Sequence, residues 1–95
     1  MIKHIVFWKI KPELDKMTVL PNLRLQLMSL NGKIPGLVSM EVGFNFTEGG
    51  YDAALYTVFA DKESLDGYQT HPEHMAVKKF VHTVINERAV VDYEI

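Results

Sequence analysis

Tyr68, His71 and His74 lie together in the stretch YQTHPEH, and a further histidine, His4, stands in the apolar segment MIKHIVFWKIK at the N-terminus. Imidazoles and a phenol are the side chains that accept, donate or hold protons near neutral pH. Their spacing has a local meaning. His71 before Pro72 reads as an N-cap followed by proline at the first helical position, where the missing N–H costs nothing. Glu73 and His74 then fall in the first helical turn. The positive end of a helix dipole disfavours an imidazolium there, which would keep His74 neutral and able to take a proton. The plainer reading is that His71 only caps the helix and His74 is a partly exposed first-turn residue. Short motifs leave both open. His4 shares a strand face with Val6 and Trp8, and it faces either the helices or a partner sheet. A buried, hydrogen-bonded core histidine is its plainer reading. Tyr68 closes a short helix just before the motif and can aim its hydroxyl at the same place. His82, two turns after His74, carries no assigned role.

Other chemistries find little support. A metal would need a third ligand beside His71 and His74, and no acidic cluster converges on them. The chain has no cysteine, hence no thiolate site and no disulfide. No serine or cysteine nucleophile arrangement appears. Gly49 and Gly50 sit in a hairpin and open no helix, so there is no phosphate loop. Trp8, Phe44, Phe46, Phe59 and Phe80 read as core. No metal and no organic cofactor is expected.

The elements that must position these groups follow from periodicity. Residues 2 to 10 form a strand, closed by Pro12. A helix runs from about Val19 to Asn31, with Thr18 as N-cap, Pro21 in the first turn, one stripe of Leu20, Leu23, Leu27 and Leu30, and Gly32 as its stop. An alternative start at Asp15 would put Pro21 inside the helix as a kink. "IPG", residues 34 to 36, is a turn. A strand over 37 to 46 carries Val38, Met40, Val42, Phe44 and Phe46 on one face. "TEGGY" turns into a strand over 51 to 60. Asp61 caps a short helix to Tyr68, Pro72 opens another to about Asn86, and residues 88 to 94 form the last strand.

Strand, helix, two strands, helices, strand predicts an α+β fold, a ferredoxin-like split β-α-β sheet with its first and third strands central. Those two strands are apolar on both faces: Val6, Trp8 and Ile10 alternate with Ile5 and Phe7, and Ala53, Leu55 and Phe59 with Ala54, Tyr56 and Val58. Helices cover one face. A chain of 95 residues makes a single domain with no second layer, so a homodimer with packed or barrel-forming sheets is expected. Ten basic residues against twelve acidic ones leave a net charge of −2 with no basic block, which disfavours nucleic acid as a partner. No run is long and apolar enough for a membrane span, and the N-terminal segment lacks the pattern of a signal peptide. The lack of cysteine fits a cytoplasmic location.

The segments IKHIVFWKIK, GKIPGLVSMEVGFN, YDAALYTVFADKESLDGYQTHPEHMAVKKFV and RAVVDYE resemble the stress-responsive dimeric α/β barrel family (Dabb) along nearly the whole chain. The resemblance implies a dimeric α+β barrel with a pocket between sheet and helices, which here Val6, Trp8, Leu55 and Val77 would line around a small apolar or carbonyl compound. One branch of the family, the polyketide cyclases of the olivetolic acid type, uses a histidine after "HP" as general base, with a tyrosine before it and a first-strand histidine orienting the substrate. The resemblance carries these roles to His74, Tyr68 and His4 and implies a cofactor-independent, cyclase- or lyase-like activity. The alternative is a non-catalytic, stress-associated ligand-binding dimer. The chain departs from the cyclase in its leucine-rich first helix with Pro21, and in Gln69 and Lys78, which stand near apolar positions of the cyclase.

Overall fold

The computed structural model describes residues 1–95 and contains seven elements: β1 (Ile2–Ile10), α1 (Lys16–Met28), β2 (Leu37–Phe44), β3 (Ala53–Phe59), α2 (Lys62–Thr70), α3 (Pro72–Val84) and β4 (Ile85–Glu94). The sheet order is β2-β3-β1-β4 with every neighbouring pair antiparallel. This is the ferredoxin-like arrangement, with β1 and β3 central as the double-faced apolar pattern demands. Alternation along β1 is strict: Ile2, His4, Val6, Trp8 and Ile10 are buried, and the residues between them are half-buried. The buried set faces the helices, where Leu23 and Leu27 of α1, Leu65 and Tyr68 of α2, and Val77 and Val81 of α3 complete one core. The opposite face, with Ile5, Phe7, Tyr56 and Val91, has no layer over it. No helix is long and apolar enough to cross a membrane.

Several boundaries differ from expectation. Helix α1 starts at Lys16, and its N-cap is Asp15, whose carboxylate accepts from the Met17 N–H at 3.1 Å and from the Thr18 hydroxyl at 2.8 Å. Thr18 therefore supports the cap and is not itself the cap. Pro21 lies inside the helix and deprives the Met17 carbonyl of its partner. Met17 is 83% exposed, on the side where water can take that carbonyl. Strand β2 ends at Phe44, and Phe46 is fully exposed in the hairpin instead of joining the core. Val38 is also exposed, because the β2–β3 register slips between Leu37 and Ser39 and a bulge turns the side chain out of the alternation. Helix α3 passes directly into β4 at Ile85, earlier than the strand over 88 to 94 that periodicity suggests.

The "IPG" turn has a steric reason for its glycine. Gly36 has φ +79°, and a Cβ there would lie 2.0 Å from Ser64 Oγ and 2.4 Å from Ser64 Cβ. The turn is thus pressed against the first turn of α2. Gly36→Ala should cost about 2–4 kcal/mol, combining left-handed backbone strain with overpacking. Urea unfolding of Gly36→Ala with and without Ser64→Gly checks this. The second change should recover the steric share, and strict additivity of the two would contradict the contact.

Candidate functional site

The helix face of the sheet brings His4, Tyr68 and His74 to one cavity. His4, on β1, is buried and pairs across β3 with Thr57, whose hydroxyl donates to the His4 carbonyl at 2.6 Å. Tyr68 sits in the last turn of α2 and is 1% exposed. His71 ends α2 and begins α3, and its Nδ1 accepts from the Glu73 N–H at 3.1 Å, so it is the expected cap and not part of the cavity. Pro72 reverses the chain so that His74, in the first turn of α3, stacks on Tyr68 with ring centroids 3.8 Å apart and 21° between planes. The His4 ring meets the Tyr68 ring edge-on at 6.0 Å. Val6, Trp8, Leu55 and Val77 line the same cavity.

Each imidazole has one nitrogen fixed and one free. His74 Nδ1 lies 2.9 Å from the Tyr68 backbone carbonyl. A carbonyl only accepts, so Nδ1 carries the proton and Nε2 keeps its lone pair. His4 Nδ1 lies 2.5 Å from Asp92 Oδ1 on β4 and donates to that carboxylate. No protein group bonds the Nε2 atoms, the Tyr68 hydroxyl or the Trp8 indole N–H. No side-chain nitrogen or oxygen sealed from solvent lacks a partner, so these four atoms keep some contact with solvent, and the side chains that carry them all line the cavity.

The electrostatics favour a neutral base beside a neutral phenol. Burial holds the His74 imidazolium unfavourable and lowers its pKa below the ordinary 6.5, and the nearby Lys78 and His4 add to this. The Tyr68 and Gln69 carbonyls oppose it. The direction is the expected one, and its largest cause is burial. Burial also pushes Tyr68 up to about 12, against a smaller opposing pull from Arg88. The phenol therefore remains a hydrogen-bond donor at neutral pH.

The lowered His74 value sets a pH dependence of stability. The unfolded chain binds the proton more readily, so stability falls as pH drops through 6.5 towards the lower native value. Below that value this group adds no further loss. Urea titrations from about pH 7.5 to 5 should give a flatter profile for His74→Gln than for the parent. Equal slopes would contradict a depressed native value.

The enclosed volume is about 30 Å³, room for about one water molecule. A bound organic compound therefore requires side chains at the mouth to move. Gln69, Lys78, His82 and Arg88 form that mouth. Sequence reasoning missed Asp92, Thr57 and Arg88 and gave His82 no role. Asp92 had one signal, since a polar residue interrupts the apolar run RAVVDYE, but its partner is 88 positions away. No group of three or more His, Cys, Asp or Glu side chains is placed to hold a metal ion.

Comparison with known proteins agrees with this fold. No curated protein matches the chain. Among solved structures, a dimeric protein of unknown function and ferredoxin-like fold from Bacteroides fragilis is 34% identical, with TM-score 0.89 over 99% of this chain and 95% of that one. A dimeric ferredoxin-like protein of unknown function from Thermobifida fusca is 23% identical, with TM-score 0.87 over 99% and 90%. A hydroxynitrile lyase from Passiflora edulis shares the fold at 17% identity, with TM-score 0.85 over 99% and 92%. The model of the stress responsive A/B barrel domain matches residues 2–95, covering every strand and helix that builds the cavity, and the chain belongs to that family.

Proposed function

We propose that the protein is a homodimeric, cofactor-independent catalyst of proton abstraction from a small carbonyl compound, with His74 as base. One observation carries the reading: the Tyr68 carbonyl fixes the His74 tautomer, leaving a neutral Nε2 free on a ring that lines the cavity. In the reaction, Nε2 takes a proton from the carbon beside the carbonyl. The electron pair moves to the carbonyl oxygen as an enolate, and the Tyr68 hydroxyl donates to that oxygen. Return of the proton from Nε2 to another carbon or to the opposite face completes an isomerisation. Alternatively, the enolate carbon attacks a second carbonyl, whose oxygen takes the proton from Nε2, which completes an aldol-type closure and restores the neutral base. His4, held by Asp92, orients the substrate from the sheet side.

The homodimer rests on the uncovered sheet face and on relatives described as dimeric. The cavity of about 30 Å³ favours a second reading, a binding protein without turnover. Proton NMR in D₂O separates the two, with levulinate, methyl levulinate, acetone and the hydroxynitrile mandelonitrile as probes. Loss of the proton signal beside a carbonyl, or cleavage of mandelonitrile, above the His74→Ala background supports the base. Saturable binding with no exchange or cleavage of any probe supports the binding protein.

A further inference from the structure

We propose that the compound taken by this pocket is an anion, a small carbonyl compound whose carboxylate or phosphate is held by Arg88 and Lys78 at the mouth. This deepens the reading of the same site given above. The charged residues that line the cavity, apart from its histidines, are Lys78 and Arg88, both cationic, and no acidic residue lines it. They reach it from different elements. Lys78 lies one helical turn after His74 on α3, and Arg88 stands on β4 directly across from Trp8.

Neither cation has a carboxylate partner. The side-chain ion pairs of the chain engage Lys9, Lys16, Lys33, Lys62 and His4. The acids that share β4 with Arg88 are all taken elsewhere: Glu87 by Lys9, Asp92 by His4 and Glu94 by Lys62. Lys3, Lys11, Arg24 and Lys79 also lack a carboxylate, but Lys78 and Arg88 are the two cations that meet at one cavity with no acid lining it, and that convergence points to a ligand that supplies the missing charge. Both act on the reacting groups. Lys78 disfavours the His74 imidazolium and Arg88 favours the ionised form of Tyr68. A guanidinium and an ammonium offer a planar fork and a point charge, which suit either oxyanion. Anchored there, the substrate points its neutral carbonyl end inward to Tyr68 and His74.

Levulinate and methyl levulinate form a matched pair that differs in charge. Binding is read by the chemical shifts of cavity residues in ¹⁵N and methyl spectra, and dihydroxyacetone phosphate is the phosphate probe. The acid should bind about tenfold tighter than its ester, the worth of a charge-assisted contact. Added salt should shrink that preference, since the mouth is partly exposed. Arg88→Gln with Lys78→Gln should abolish the preference, so that acid and ester bind alike. Tighter binding of dihydroxyacetone phosphate than of levulinate, lost in the same double variant, would identify phosphate as the group held. Equal affinity for acid and ester in the parent, a preference that survives in the double variant, or no shifts with either anion up to about 10 mM would overturn the proposal. Its failure is distinct from failure of the base. A parent that prefers the anion but never exchanges a proton loses His74 as base and keeps the anion site. One that exchanges methyl levulinate as readily as levulinate keeps the base and loses the anion site.

Discussion

Replacement of His74 by Ala should lower proton exchange at the carbon beside a carbonyl by about a hundredfold to ten-thousandfold, the range in which a positioned general base contributes. The loss has a geometric origin. Nδ1 is committed to the Tyr68 carbonyl at 2.9 Å, so Nε2 is the atom that takes the proton, and alanine supplies neither nitrogen. The variant also gives up the stack on Tyr68 and one hydrogen bond, a cost of about 1–2 kcal/mol. His74→Gln separates the two effects. Its amide N–H can still donate to the Tyr68 carbonyl, but it has no basic nitrogen. It should retain more stability than alanine and exchange no faster. Tyr68→Phe should cost less than either, because it removes a donor to the oxygen and leaves the base in place. Exchange in His74→Gln equal to the parent would remove His74 from the chemistry. The acid limb of the parent's rate profile should fall below 6.5, following the depressed pKa of His74.

Introduction of a charge on the uncovered sheet face should break the assembly. The parent should scatter light as twice the chain mass of 10.9 kDa. Phe7 stands on the central strand opposite Ala54 of β3 and Ala89 of β4, beside the Tyr51 ring at 5.8 Å. A carboxylate buried there without a partner costs several kcal/mol. Phe7→Asp should therefore weaken dimerisation by about a thousandfold or more. If the monomer is not viable alone, the same variant unfolds, and circular dichroism reads that outcome. Val91→Lys, nearer the sheet edge and 51% exposed, tests the same face more gently and should shift the equilibrium towards monomer without loss of helix signal. Leu25→Asp, on α1 and 72% exposed, serves as the control and should leave the mass unchanged. A parent that stays monomeric at micromolar concentration would contradict the dimer outright.

Much of this molecule is written in local pattern, and local pattern was legible. Alternation along Ile2 to Ile10 assigns the His4, Val6 and Trp8 face, because side chains in a strand point to opposite sides in turn. "THPEH" assigns a cap, a proline at the first helical position and a histidine in the first turn, because each depends only on backbone groups within a few residues. Element order then gives the sheet topology. Where two local solutions competed, sequence alone did not choose. Asp15 and Thr18 can each cap α1, and the longer helix prevailed although it encloses Pro21. Likewise, alternation over residues 37 to 46 does not show the bulge that turns Val38 outward, or the early end of β2 that leaves Phe46 exposed.

The site divides along the same line. Sequence by itself determined which residue types stand at the turn between α2 and α3 and which face of β1 carries His4. Tertiary structure alone decided that Asp92 meets His4, that Arg88 comes to the mouth beside Lys78, and that the enclosed space is about 30 Å³. The first two depend on the register of β4 against β1, set by the packing of the whole sheet between residues some eighty positions apart. The third is a small difference between large packed volumes, and no spacing of residues along a chain encodes it.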